Sequence, residues 1–265
     1  MTSATGDHPY ATLPGGGQMP LLGFGTWQLA AGPEAYDSVL AALRTGYRHI
    51  DTATGYGNER SVGEAIRDSG VPREDIFLTT KCPPEHAGRE EETIAKSLED
   101  LGVDHVDLWL VHWPPAGEAR PETWKEFVRV LGDGRAKAIG VSNYSPAQID
   151  ELIEATGVTP AVNQIPWAPS LHDPALYREH QRRQVVLEGY SPFRRSNLED
   201  PVLASIAAAH GVTPPQVILR WHLEHGIVVI PKTSTPERIA SNFDVFGFSL
   251  TSDEVARIDG LSTVA

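Results

Sequence analysis

Short strand-like runs alternate with helical segments along this chain, and that alternation limits the folds open to it. Most of the runs lie about 25–30 residues apart, which is the length of one βα unit. Parallel strands need such long crossovers, so the pattern predicts a parallel α/β barrel of the (β/α)8 TIM type. We place the eight runs near Leu22–Phe24, His49–Asp51, Ile76–Thr80, Val106–Val111, Ala138–Val141, Ala161–Asn163, Val185–Tyr190 and Ile227–Ile230.

The segments between the runs have helical periodicity and recognisable ends. Ser145 and Thr235 are each followed by proline, the usual order of an N-cap and a first helical residue. The long gap before the eighth run leaves room for an extra helix, and another helix is expected at the C-terminus. The PGGG sequence at 14–17 predicts the turn of an N-terminal β-hairpin. We predict helices over Pro33–Thr45, Asn58–Arg67, Glu91–Leu101, Pro121–Leu131, Pro214–Glu224 and Ser252–Leu261.

The main structural rival is an open, doubly wound sheet. No G-x-G-x-x-G sequence follows the first run, and no linker-like change of composition divides residues 1–265, so we expect a single barrel domain. Polar or aromatic residues follow all eight runs, which favours a closed barrel because its strand ends form one ring. These residues are Thr26-Trp27, Asp51, Lys81, His112-Trp113, Ser142-Asn143, Gln164, Tyr190-Ser191 and Lys232-Thr233.

Charge and cysteine content exclude several classes of protein. The net charge of −13 disfavours a general binder of nucleic acid or of anionic membranes. The sequence MTSATGDHPY at the start lacks the apolar region of a signal peptide, and no apolar run is long enough to span a membrane. The single cysteine, Cys82, agrees with a reducing compartment. We therefore expect a cytoplasmic protein.

Four polar side chains near successive strand ends, Asp51, Tyr56, Lys81 and His112, suggest a proton-relay site. Reduction of a carbonyl by hydride needs an acid, and Tyr56 can protonate the nascent alkoxide. A nearby ammonium lowers the pKa of a phenol, and Lys81 is the candidate ammonium. Asp51 would hold Lys81 in place, while His112 would orient the substrate oxygen or relay a proton. Singly, each residue could be a cap, a packing residue or a surface charge; together and in order they favour catalysis.

At this point the chain resembles the aldo-keto reductases, and among them compact bacterial members similar to diketogluconate reductases. The matching segments are GFGTWQL, DTATGYGNE, TTK, LVHWP, GVSNY, NQI, GYSP and IPKTSTPERIASN, which extend over nearly the whole chain. The resemblance implies a (β/α)8 barrel that reduces carbonyls with NADP(H), using the tetrad Asp51, Tyr56, Lys81 and His112. It also implies a monomer.

The resemblance also assigns residues to the cofactor. Ser142, Asn143 and Gln164 would hydrogen-bond the nicotinamide carboxamide, and Tyr190 would stack on the ring. Further contacts would come from Thr26 and Trp27 after the first strand, and from Ser191, Phe193 and Arg195 after the seventh. The adenosine end, with its 2′-phosphate, would be held by Lys232, Thr233, Ser234, Arg238 and Asn242.

The basic cluster near the last strand favours NADP(H) over NAD(H) on physical grounds as well. Arg238 lies just inside a helix that Thr235 would cap, six residues after Lys232. A helix N-terminus with an arginine and a lysine is a good phosphate site, although the same charges could simply begin a helix without a ligand.

Several positions depart from the family pattern. Pro166 and Ala168 replace a usual Glu and His, and Ser241 replaces a Glu often found at the adenine. After GYSP, relatives usually have Leu or another small apolar residue and then Gly or Ser, whereas this chain has Phe193, Arg194, Arg195 and Ser196. We hypothesise that one of these arginines contacts the cofactor pyrophosphate; the alternative is a solvated loop charge.

The expected substrate pocket has aromatic walls from Trp27, Tyr56 and Trp113, with His112 beside the reacting carbonyl. Short loops predict an open site with modest selectivity for small aldehydes, ketones or dicarbonyls. Two other functions remain open: a catalytically silent NADP(H)-binding regulatory module, and an aldolase with Lys81 or Lys232 as its Schiff-base lysine. We expect no metal site, because His222 and His225 have marginal spacing for one.

Overall fold

The computed structural model describes residues 8–263. The polar start of the chain, residues 1–7, lies outside this part, and so do residues 264–265. The strands are β1 Tyr10–Thr12, β2 Gln18–Pro20, β3 Phe24–Gly25, β4 His49–Asp51, β5 Phe77–Cys82, β6 Val106–Val111, β7 Ala136–Ser142, β8 Val162–Pro166, β9 Val186–Tyr190 and β10 Val228–Ile230. The helices are α1 Pro33–Thr45, α2 Glu59–Asp68, α3 Glu90–Leu101, α4 Pro121–Asp133, α5 Pro146–Thr156, α6 Pro174–Arg182, α7 Pro201–His210, α8 Pro214–Glu224, α9 Pro236–Phe243 and α10 Ser252–Asp259.

Strands β3 to β10 form one parallel sheet in sequence order, and the sheet closes on itself. Closure is made by a parallel bridge between Leu22 and Val229 and by a hydrogen bond from Gly25 N to Pro231 O of 3.1 Å. The (β/α)8 TIM barrel is therefore confirmed. So is the N-terminal hairpin, in which β1 and β2 pair antiparallel. The extra helices are α7, before the eighth barrel strand, and α10, at the C-terminal side.

Helix starts follow the local sequence closely. Seven of the ten described helices begin at proline, whose fixed φ suits the first helical position and whose missing N–H is not needed there. Ser145 caps α5 as predicted, with its side chain accepting from Gln148 N. Helix α4 continues past Gly132 and ends at Asp133, because the next residue, Gly134, has the left-handed conformation (φ 83°) that terminates the helix and Gly132 does not.

Several predicted boundaries were wrong by a few residues. Strand β5 extends to Cys82 and β8 to Pro166, so Lys81 and Gln164 lie within strands and not after them. Helix α6 was not predicted at all, because only His180 is buried on it and its apolar stripe is weak. The prediction of one domain over residues 1–265 extends beyond the described residues and stays a prediction.

Buried hydrophobic residues form two clusters. The larger contains residues of β6, β7 and α4, and the smaller contains residues of β9, α7 and α8. Trp109 of β6 stacks on Phe127 of α4, with ring centroids 3.7 Å apart. Gly63 lets α2 approach α3 closely, since an added Cβ would lie 2.1 Å from Leu101 O. Among the described residues no single helix is long and apolar enough to cross a membrane; only α7 and α8 together, bent by 88°, pass on length and composition.

Candidate active site

A cavity of about 950 Å³ opens at the carboxyl ends of the barrel strands. We call it the cleft. It is the place where a (β/α)8 barrel gathers residues from different strands. Most of the residues predicted for function line it: Trp27, Asp51, Tyr56, His112, Trp113, Ser142, Asn143, Gln164, Tyr190, Ser191, Phe193, Arg195 and Lys232.

Lys81 is the centre of the buried polar group beneath the cleft. Its side chain is fully buried, and Nζ donates to Asp51 Oδ1 at 2.6 Å, to Thr52 O at 2.8 Å and to Tyr56 Oη at 3.3 Å. Burial lowers the pKa of Lys81, but Asp51 and Tyr56 offset this and raise it to about 12. A lysine so placed stays protonated, so it is a poor Schiff-base nucleophile.

Tyr56 ends a short 3-10 turn, Thr54–Tyr56, that follows β4 and directs the phenol over Lys81. The Lys81 ammonium lies 5.0 Å from the Tyr56 ring centroid. We expected the ammonium to lower the pKa of Tyr56 overall. Instead burial raises it, and Lys81 offsets only part of that effect. The phenol is therefore held protonated, as a proton donor must be.

His112 faces Tyr56 across the cleft, with ring centroids 5.5 Å apart at 71°. Burial and the Lys81 charge lower the pKa of His112 to about 3. The imidazole is therefore neutral at physiological pH, when one ring nitrogen donates a hydrogen bond and the other accepts one. A neutral imidazole can donate a hydrogen bond that orients a carbonyl oxygen, but it is a poor general acid.

Gln164 connects Asp51 to a second buried carboxyl that the sequence analysis missed. Its Nε2 donates to Asp51 Oδ2 and to Glu188 Oε2, both at 2.9 Å. Glu188 is completely buried on β9, and burial together with Asp51 raises its pKa to about 8. Because both N–H groups of the Gln164 amide donate to buried carboxyls, its carbonyl oxygen is the polar atom that remains for a ligand in the cleft.

A second missed residue, His49, lies behind Glu188. His49 Nε2 is 3.3 Å from Thr79 Oγ1 and 3.7 Å from Glu188 Oε1, and burial lowers the His49 pKa to about 3.

The sequence did contain a signal for Glu188. It is the one charged residue inside the apolar run VVLEGY, most of which forms β9. A glutamate there has to be buried with partners, or neutral.

The side chains predicted for the nicotinamide form a hydrogen-bonded chain. Asn143 Nδ2 donates to Ser142 Oγ at 3.0 Å and to His112 O at 3.2 Å, and its Oδ1 accepts from Tyr190 Oη at 2.8 Å. Ser142 Oγ donates to Gln164 O at 2.8 Å. Both the nitrogen and the oxygen of the Asn143 amide are therefore hydrogen-bonded within the protein. Asn143 holds Ser142 and Tyr190 in place and leaves no free N–H group for the cleft.

Thr26 is fully buried, and it does not line the cleft. Its hydroxyl donates to Asp51 O at 2.9 Å, and its carbonyl oxygen accepts from the buried Asn58 Nδ2 at 3.0 Å. The structure thus places Thr26 against the backbone of Asp51, outside the lining of the cleft. Neighbouring Trp27 is 42% exposed and Trp113 is 48% exposed, so these two rings do form the open aromatic rim expected of the site.

The residues predicted for the 2′-phosphate follow β10. Lys232 lines the cleft, and neither Lys232 nor Arg238 forms an ion pair with any described residue. Thr235 occupies the N-cap position of α9, but its side chain makes no capping hydrogen bond, contrary to our expectation. Instead Thr233 Oγ1 accepts from Thr235 N at 3.1 Å. Of the other two predicted residues, Ser234 is exposed and Asn242 is buried.

The segment after β9 reaches across the cleft. The Arg194 guanidinium lies 5.7 Å from the Trp27 ring centroid, a cation–π distance, and both residues line the cleft together with Phe193 and Arg195. Three cleft residues other than glycine have positive φ: Gln28, Asn143 and Ser191. Backbone conformations of this kind are common at active sites and ligand-binding sites.

Comparison with known proteins agrees with this geometry. The model of the Aldo/keto reductase family matches residues 21–263. An aldo-keto reductase of Mycolicibacterium smegmatis is 46% identical over 96% of this chain and 94% of its own length. Morphine 6-dehydrogenase of Pseudomonas putida is 44% identical, over 97% and 93% of the two chains. Methylglyoxal reductase DkgA of Escherichia coli is 40% identical, over 93% and 90%.

Solved structures give the same result. An aldo/keto reductase from Brucella melitensis superposes with a TM-score of 0.92 at 44% identity, covering 96% of this chain and 97% of that one. A variant of Gox0644 in complex with NADPH superposes with a TM-score of 0.91 at 36% identity, covering 97% and 94%.

Proposed function

Because this chain belongs to the aldo/keto reductase family, we propose that it reduces small aldehydes and ketones to alcohols, with Tyr56 as the acid. The chain is an NADP-dependent oxidoreductase. NADPH, when bound, supplies the hydride that attacks the carbonyl carbon. The residues described above would place the carbonyl and move the proton.

The contact between Tyr56 Oη and Lys81 Nζ, 3.3 Å, is the observation that most directly supports this proposal. As an alkoxide forms on the substrate, the Tyr56 phenol gives it a proton. The resulting phenolate then lies beside the Lys81 ammonium, which stabilises it, and Asp51 keeps that ammonium in position at 2.6 Å. The neutral His112 donates a hydrogen bond that fixes the carbonyl oxygen on the Tyr56 side of the cleft.

The residues present fit an NADP(H) cofactor. The Gln164 carbonyl oxygen, left over after both amide hydrogens point inward, can accept from a carboxamide NH2 group. Lys232 and Arg238 are cations without an anionic partner among the described residues, at a helix start whose Thr235 side chain caps nothing. Such a site suits a phosphate. On this ground we propose a preference for NADPH over NADH.

For the substrate, we propose a broad range of small carbonyl compounds with modest affinity. The Trp27 and Trp113 rings are about half exposed, so they offer an apolar surface without enclosing the ligand. Relatives at similar identity are named for morphine and for methylglyoxal, which differ greatly in size. A site of this family thus accommodates different carbonyl partners, and weak enclosure favours low selectivity.

The test follows NADPH oxidation by the purified protein with a panel of aldehydes, ketones and dicarbonyls. We expect turnover of several compounds, and a loss of about 10²–10⁴-fold in Tyr56→Phe with NADPH binding retained. Tyr144→Phe is a matched control, because it removes a buried hydroxyl bonded to Ala119 O outside the cleft. Turnover that survives Tyr56→Phe would mean that another group is the acid. NADPH binding without any turnover would indicate a regulatory module.

We further propose that the protein is a cytoplasmic monomer that binds neither nucleic acid nor membranes. The net charge of −13 argues against binding to nucleic acid or to anionic membranes. The single cysteine, Cys82, is buried, and burial raises the pKa of its thiol to about 12, so it is a poor candidate for a disulfide between chains. Light scattering from a size-exclusion column would measure the mass directly, for comparison with 28.8 kDa.

A further inference from the structure

A group of metal-ligand side chains lies outside the cleft, where three distant segments of the chain meet. His172 follows the turn Pro169–Leu171, His225 follows α8, and Asp259 is the last residue of α10. One ligand atom from each lies within 4.8 Å of the other two. None of the three lines the cleft, and the proposed reduction makes no use of them.

The distances suit a common ion. His225 Nε2 lies 2.9 Å and His172 Nδ1 3.4 Å from the same oxygen, Asp259 Oδ1. Two ligands held tetrahedrally by zinc at about 2.0–2.1 Å are themselves separated by roughly 3.3 Å. Both histidine–aspartate distances therefore match such a separation to within a few tenths of an ångström, and one ligand atom of each histidine lies within 4.8 Å of the other.

The surroundings hold these ligands in place. The buried Trp221 donates its indole N–H to Asp259 Oδ1 at 2.8 Å, the kind of outer hydrogen bond that orients a ligating carboxylate. The Trp221 ring also packs edge-on against both imidazoles, with centroids 5.4 Å from His172 and 4.9 Å from His225.

His222, the other histidine near His225 in sequence, is not available as a ligand. It is fully buried, its Nδ1 lies 2.8 Å from Ile218 O, and its Nε2 lies 3.4 Å from Trp167 O. We expected no metal site from the spacing of His222 and His225, but that spacing does not indicate which residue the fold places beside His225. His225 lies beside His172, 53 positions earlier in the chain, with ring centroids 5.0 Å apart.

We propose that His172, His225 and Asp259 form a binding site for a divalent transition metal, with zinc as the ion that best suits two imidazoles and one carboxylate. Water would complete the coordination, since the side chains of His225 and Asp259 are 19% and 29% exposed. The ion joins α10 to α8 and to the segment before α6. Its binding therefore stabilises the folded chain, because the unfolded chain does not hold the three ligands together.

The first measurement uses the full-length protein after treatment with a chelator. Cobalt is titrated as a coloured substitute for zinc, and visible absorption reports its coordination by protein ligands. We expect bands that saturate at one equivalent, disappear when zinc is added, and accompany a zinc-dependent rise in melting temperature. A wild-type protein without such bands and without the thermal shift overturns the proposal, leaving an ordinary hydrogen-bonded cluster.

Variants then locate the site. His225→Asn and Asp259→Asn should each remove the bands and the thermal shift. His210→Asn is the matched control: His210 Nε2 pairs with Glu254 at 2.9 Å and has similar exposure, but no third ligand lies beside that pair in the described part of the chain. Bands that persist in both site variants would place the ion elsewhere and refute the assignment. Reductase activity should be unchanged in all three variants, so this test is independent of the proposed function.

Discussion

Asp51 and Glu188 accept hydrogen bonds from the same nitrogen, since Gln164 Nε2 lies 2.9 Å from an oxygen of each. Lys81, the ammonium at this buried site, contacts Asp51 directly and not Glu188. The two carboxyls thus share one amide donor, while the cation contacts only Asp51. A second negative charge in this interior is costly, so Glu188 keeps its proton while Asp51 pairs with Lys81.

The first prediction concerns the stability of Glu188→Gln against pH. The Glu188 pKa is about 8 in the folded protein, against an ordinary value of 4.5. Between these values the folded state holds a proton that the unfolded chain has lost, so stability falls as pH rises through this window. Glu188→Gln has no carboxyl at this position, so its stability should not fall with pH for this reason. Its free energy of unfolding in urea should gain roughly 1–4 kcal/mol on the wild type between pH 5 and pH 8. If the free energies of unfolding of the two proteins changed with pH in parallel, Glu188 could not be neutral in the folded state. Glu237→Gln, an exposed position on α9, is the control and should follow the wild-type curve.

The second prediction concerns the buried ion pair. Lys81→Met leaves Asp51 without its cation and should cost about 3–5 kcal/mol of folding free energy in denaturant titrations. Adding Asp51→Asn to Lys81→Met should recover part of that loss, because no buried charge is then unpaired. Lys96→Met is the comparison, since the exposed Lys96–Asp100 pair at 2.7 Å is screened by solvent and should contribute little to stability. Equal losses in the two single variants would argue against the buried pair as described.

The third prediction concerns the protonation of His112. Its pKa of about 3 keeps the imidazole neutral throughout the working range. The pH profile of kcat/KM for carbonyl reduction should therefore show no ionisation of His112 between pH 5 and 8. His112→Asn, which keeps a hydrogen-bond donor, should lower the rate without changing the shape of the profile. A limb with a pKa of 6–7 that disappears in His112→Asn would refute this state.

The fourth prediction separates the two nicotinamide cofactors. Lys232→Ala and Arg238→Ala each remove a cation that lies near the start of α9, and each should weaken NADPH binding by about 10–100-fold. NADH, which lacks the 2′-phosphate, should be little affected. Arg257→Ala, an exposed cation on α10, is the control and should change neither dissociation constant. A wild-type dissociation constant that is lower for NADH than for NADPH would sink the proposed preference.

The fifth prediction concerns the arginines that follow β9. Arg194 lies over the Trp27 ring at 5.7 Å, and Arg195 also lines the cleft. If they bind the pyrophosphate, Arg194→Ala/Arg195→Ala should weaken NADPH and NADH by the same factor, about tenfold, since both cofactors contain that group. Fluorescence titration measures both constants. Unchanged affinity in the double variant would show that these arginines are solvated loop charges.

The order of strands and helices could be read from the sequence because those signals are local. A run of apolar residues, a proline after a cap and a glycine with positive φ each act within a few neighbours. The order of Asp51, Tyr56, Lys81 and His112, which lie near three successive strand ends, followed from the same pattern. Helix α6 was missed where this local signal was weak, with only His180 buried.

What only the tertiary structure decided depends on distances between residues far apart in the chain. Asp51 and Gln164 are 113 positions apart, yet they are bonded at 2.9 Å, and no pattern in either segment indicates that contact. Burial reversed the expected direction of the Tyr56 pKa and made Glu188 a neutral acid, because desolvation depends on everything packed around a group. The sequence by itself therefore determined the barrel and the kinds of side chain at its mouth. Their charges and partners were decided by the closed barrel, which excludes water and brings those side chains within a few ångströms of one another.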